Sequence, residues 1–98
     1  MFKALTSAAL LFVATAGSAL AQVPPSQVRA ANLARMEAER INGGLSKYFT
    51  ANCMHRSGGG NCLVNESADG YLFNFLGGAP GWEVNQQPAT VQTNILIG

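Results

Sequence analysis

Residues 61–76 read NCLVNESADGYLFNFL, and the expected fold is built outward from this run. The stretches on both sides of Asp69-Gly70 read as strands with a side-chain period of two, and that pair favours a tight hairpin turn. With Asp69-Gly70 as a two-residue turn, Val64 stands opposite Phe75 and Glu66 opposite Phe73. Tyr71, Phe73 and Phe75 then share one face with Val64 and Cys62, and that face is expected to be buried.

Upstream, Lys47 to His55 also alternates. Placing Cys53 directly opposite Cys62 sets Ala51 against Val64 and Phe49 against Glu66, and closes a hairpin over Ser57-Gly58. Both turns gather Phe49, Ala51, Cys53, Cys62, Val64, Tyr71, Phe73 and Phe75 on one side. The other side carries Thr50, Asn52, Asn65 and Asn74 with Leu63, Leu72 and Leu76. Strands are therefore expected over Lys47–His55, Asn61–Glu66, Tyr71–Leu76 and Thr90–Ile97. In the last of these Val91, Thr93, Ile95 and Ile97 face one way. The two cysteines, Cys53 and Cys62, read as one disulfide, and closing a loop of about ten residues stabilises by roughly 2–3 kcal/mol.

Gln27 to Asn42 holds no Gly or Pro and is rich in Ala, Arg and Glu, which predicts a helix. It starts near Pro25 or Ser26 and ends at Gly43-Gly44, with Gly43 in the left-handed position past the C-cap. Ala30, Leu33, Ala34, Ala38 and Ile41 make its apolar stripe, with Val28 and Met36 on the flanks. Arg35 and Glu39 are spaced for an exposed i,i+4 pair.

The fold class that follows is α+β: one N-terminal helix packed on a small antiparallel β-meander of about four strands, with one disulfide. At fold level this resembles the cystatin-type grip. Those inhibitors carry a Gln-x-Val-x-Gly loop where this chain has Arg56-Ser57-Gly58-Gly59-Gly60, so cysteine-protease inhibition is not implied.

Residues 1–21 read as a secretory signal peptide rather than as part of the fold. Lys3 supplies the positive end, Ala4 to Ala16 a short apolar stretch, and Ala19 and Ala21 the small residues before a cut ahead of Gln22. The apolar stretch falls short of the ~20 residues that span a bilayer, so no stable membrane insertion is expected after leader cleavage. Residues 22–98 are expected to form a single small α+β domain in the periplasm or secreted. Its Arg29, Arg35, Arg40, Lys47 and Arg56 balance Glu37, Glu39, Glu66, Asp69 and Glu83. A neutral chain has no electrostatic footprint for phosphate backbones, which argues against nucleic acid as a partner.

Few residues carry chemistry. Cys53, His55 and Cys62 are metal-ligand types, but an oxidising compartment and the cross-strand spacing favour the disulfide, and no fourth ligand is evident. His55 is the sole histidine, near the tip of a Gly-rich hairpin, so a small hydrolase built on it is disfavoured. Asp69 serves its turn. Glu66 is expected on the apolar face, meeting Arg29, Arg35 or Arg40 from the helix. Asn65-Glu66-Ser67 fits a glycosylation acceptor, a pattern that also arises by chance. Ser57 to Gly60 lacks the features of a phosphate loop and reads as flexible.

The candidate binding loop is Gly77, Gly78, Pro80, Gly81 and Trp82, where a tryptophan on an unusual stretch can anchor a ligand or fold back over the core. The expected function is a non-enzymatic binding or interaction module for an unknown protein or glycan ligand, without cofactor or metal. An accessory subunit of an envelope assembly, completing a sheet through the edge of the last strand, is the alternative.

Overall fold

The computed structural model describes residues 22–98; the expected leader and its cut after Ala21 lie outside them. Helix α1 runs from Pro25 to Ile41. Pro25 occupies its first position, where the missing N–H is one no helix needs. At the other end Gly44 N–H donates to Glu39 O at 2.8 Å and the Asn42 amide to Ala38 O at 2.8 Å. Gly43 takes φ 96°, the left-handed conformation expected of it.

The buried face of α1 is narrower than the sequence stripe. Ala30, Ala31, Ala34 and Ala38 are buried, whereas Leu33 is 39% exposed and Ile41 62%. An all-alanine face lets the helix axis come close to the sheet, and that closeness tips the larger Leu33 and Ile41 off the contact.

The sheet has four antiparallel strands: β1 (Phe49–Thr50), β2 (Leu63–Ser67), β3 (Gly70–Gly78) and β4 (Val91–Ile97). β3 is its spine. One edge of β3 pairs with β4 from Tyr71↔Ile97 to Gly77↔Val91. The other edge is divided, with β2 on the first half and β1 on the second. Phe73 and Phe75 join Tyr48, Met54, Cys62 and the helix alanines in one core, with Val91, Ile95 and Ile97 packed against it. The predicted burial of the two phenylalanines therefore stands, as does the alternation along β4, whose inner side is half-buried.

The β2–β3 register differs from the expected one. Ser67 pairs with Gly70, so the two-residue loop is Ala68-Asp69. Asp69 N–H donates to Ser67 Oγ at 3.1 Å, and Gly70 holds φ 132° at the turn's last position. A residue with a Cβ at Gly70 would collide with the Ile97 carbonyl. A bulge between Leu63 and Asn65 then turns Leu63 to the core opposite Phe73 and leaves Val64 53% exposed.

The predicted hairpin over Ser57-Gly58 does not form. β1 pairs with β3, not β2, and is two residues long. Thr50, opposite Gly77, is wholly buried, while Phe49 turns to the other side of the sheet. Between β1 and β2 the chain makes a 3-10 turn at Asn52–His55 and tight turns over Ser57–Cys62. Gly58, Gly59 and Gly60 hold φ of 75°, 86° and 50°. A Cβ on Gly59 would come within 2.7 Å of the Phe73 ring, with Ala31 on its other flank. Gly58 and Gly59 are thus a buried wedge between helix and sheet, fastened by Gln27 Nε2 to Gly58 O at 3.1 Å, while Gly60 is exposed. The wedge replaces a hairpin because side-chain-free backbone fits a gap that a strand with side chains would not.

Cys53 and Cys62 are disulfide-bonded, with Cα atoms 5.9 Å apart. The bond staples two turns together rather than two strands. Glu66, expected on the apolar face against a helix arginine, is instead exposed opposite Tyr71; the ion pairs among the described residues are Arg35–Glu39 at 3.4 Å, at the expected spacing but half-buried, and Arg40–Glu37.

Candidate functional site: a groove between the stapled turns and the Trp82 loop

Because β1 and β2 share one edge of β3, a notch opens beside Asn74–Leu76 where neither strand covers it. The disulfide-linked turns wall one side. The loop after β3 walls the other, folded by its own hydrogen bonds: Trp82 N–H to Ala79 O at 2.9 Å, Asn85 N–H to Gly81 O at 3.0 Å and Gln87 N–H to Trp82 O at 2.8 Å. Asn52 N–H donates to Glu83 Oε1 at 2.8 Å and ties the two walls together. The result is an open groove of about 1070 Å³.

Its lining is mainly apolar. Leu45, Phe49, Leu76 and Val84 stand on it, with exposures of 57%, 38%, 46% and 86%. Polar groups from Asn52, Arg56, Asn61 and Asn74 complete the lining. The Arg56 guanidinium and the Glu83 carboxylate leave the lining without net formal charge, and its apolar residues suit apolar side chains.

The predicted loop residues come together here only in part. Gly77 and Gly78 belong to β3 and are buried: a Cβ on Gly77 would lie 2.5 Å from the Tyr48 ring, and one on Gly78 would lie 3.1 Å from the Trp82 indole. Pro80, Gly81 and Trp82 form the outer wall. Trp82 is 8% exposed, and its Nε1 donates to Phe49 O at 2.9 Å. It is a strut that holds the wall against β1, with no bare ring face for stacking.

His55 lies behind the opposite wall. Its ring stacks on Phe49 at 4.6 Å and 9°, and its Nε2 shares a 2.9 Å hydrogen bond with Thr50 Oγ1. Those contacts orient Phe49 toward the groove. Cys53 and Cys62 bond each other, so their sulfurs are not available as thiolate ligands beside His55.

Leu45, Glu83 and Val84 were not singled out by the sequence. An apolar Val84 amid Gly, Glu, Asn and Gln was the available signal, since nothing local accounts for it. Among the described residues no helix is long and apolar enough to cross a membrane. Comparison of the chain with protein-family models, curated proteins and solved structures finds no match in any of the three.

Proposed function

We propose that this chain is an exported, non-enzymatic binding module whose groove takes apolar side chains from a segment of a partner protein. One observation carries the reading: Leu45, Phe49, Leu76 and Val84 are each more than a third exposed and all line one groove. Apolar side chains gathered like this on a small domain mark a surface that another molecule covers. A protein segment fits better than a glycan, because Trp82 is buried and its indole N–H is already taken. Export is supported by the leader pattern of residues 1–21 and by a disulfide compatible with an oxidising compartment.

Selection from a displayed peptide library tests the groove. Peptides with clustered apolar residues are expected to enrich, and Leu76→Asp is expected to weaken their binding by about tenfold or more, about 1.4 kcal/mol, with the fold retained. No enrichment, or equal binding by Leu76→Asp, removes the proposal. Export has its own check: protein recovered from the native host is expected to begin at Gln22 with a mass about 2 Da below the reduced value.

A further inference from the structure

β4 (Val91–Ile97) pairs with β3 on one side and, among the described residues, has no strand on the other. Alternation along β3 decides which backbone groups remain open. Leu76 O accepts Ala51 N–H, so Leu72, Asn74 and Leu76 face the edge shared by β1 and β2, and Phe73, Phe75 and Gly77 face β4. Their partners Ile95, Thr93 and Val91 point their backbone groups inward. Gln92, Asn94 and Leu96 therefore point theirs outward, on side chains that are all exposed. Monomeric sheets blunt such an edge with a lysine, a proline or a bulge. VQTNILI has no charge and no proline, its ladder with β3 is unbroken, and no charged residue occurs from Val84 to Gly98.

We propose that β4 pairs antiparallel with β4 of a second copy about a twofold axis through Asn94, making one sheet of the two molecules. In that register Val91 meets Ile97, Gln92 meets Leu96, Thr93 meets Ile95 and Asn94 meets its symmetry mate. Opposed residues share a face, so the half-buried side of β4 continues across the axis and both helices lie on the same side. A slip by one residue would set that face against the polar one.

A second copy is favoured over a foreign strand by two features. The strand carries no charge that would select a different partner. The amide row is also incomplete. Gln92 Nε2 donates to Asn74 Oδ1 at 2.9 Å and Asn74 Nδ2 to Asn94 Oδ1 at 3.3 Å. The Asn94 amide protons then have no partner among the described residues, and in the proposed register Asn94 faces its own symmetry mate. About six main-chain hydrogen bonds over a small area make a weak dimer, with dissociation in the micromolar to submillimolar range. The groove lies on the opposite edge of β3, so the dimer leaves it open and does not depend on its ligand.

Sedimentation velocity of the oxidised protein from about 10 µM to about 1 mM is expected to show a monomer–dimer shift. The amide resonances of Gln92, Asn94 and Leu96 are expected to move with concentration while those of Ala31 and Ala34 stay fixed. Asn94→Lys, which opposes two ammonium groups at the axis, is expected to raise the dissociation constant about tenfold or more with an unchanged far-UV spectrum. Should that variant unfold, Leu96→Lys makes the same test at a side chain that is 52% exposed. A monomer across the whole range, a dimer that both substitutions leave intact, or concentration shifts confined to α1 would each overturn the proposal.

Discussion

Tyr48 is 2% exposed and its hydroxyl has no hydrogen-bond partner among the described residues. Burial pushes its pKa up; Thr93 is near enough to offset part of the rise without reaching hydrogen-bond geometry, and the charge of Glu39 adds to it. A raised acid pKa means that the folded state holds the proton more tightly than the unfolded chain. The stabilisation is full below the ordinary tyrosine value of 10.0 and is lost as pH rises through the folded value. Tyr48→Phe is expected to leave stability at neutral pH unchanged or raised by up to about 1 kcal/mol, and to flatten the loss of Tm above pH 10. Thermal melts of both proteins across that range check it. Gly59 makes the opposite case: Gly59→Ala forces a side chain onto φ 86° and into the Phe73 ring. A loss of about 2–4 kcal/mol is expected in denaturant titration.

Among the elements, α1 shows how far local pattern reaches. Its limits and C-cap follow from Pro25, Asn42 and Gly43, whereas its buried side depends on how closely the sheet approaches. Ala34 is fully buried and Leu33 is 39% exposed, so Ala34→Leu is expected to cost about 2–3 kcal/mol and Leu33→Ser under about 1 kcal/mol, compared by urea denaturation. The stapled turns form the second element that sets the site. Reducing Cys53–Cys62, or replacing both with Ser, frees a segment anchored by the two-residue β1 and by Gln27. The expected loss is about 2–3 kcal/mol, with line broadening at Phe49, Asn52 and Glu83 in amide spectra because the groove wall loosens first.

At the scale of the molecule, β3 organises three features of the fold. One of its faces closes the core, one edge carries β4, and the divided edge opens the groove. Trp82 reports on the last of these, since it is buried and bonded to Phe49 O. Its emission is expected to be blue-shifted and poorly quenched by acrylamide in the free protein. Trp82→Phe is expected to cost about 1–2 kcal/mol in urea denaturation followed by far-UV circular dichroism, the Phe49 carbonyl then being left to water. A fully quenchable, red-shifted tryptophan would contradict the strut described here.

Local pattern was enough for the α+β class, the helix ends, the paired cysteines, the inward Phe73 and Phe75 and the alternation of β4, because each rests on nearest-neighbour sterics or on periodicity in residues close along the chain. The register of β2 was out of reach, since a bulge at Val64 and a turn at Ala68-Asp69 compete at small cost with the expected pairing over Asp69-Gly70. So was the partner of β1: Phe49 and Thr50 pair with Gly78 and Gly77 across nearly thirty residues, and the flatness of two glycines under Tyr48 and Trp82 is a tertiary fit with no local signature. The Gly58-Gly59 wedge reads as slack chain until a helix face of alanines and the Phe73 ring close on it. Packing at a distance, and no rule of sequence spacing, turned that stretch into core and left the groove beside it.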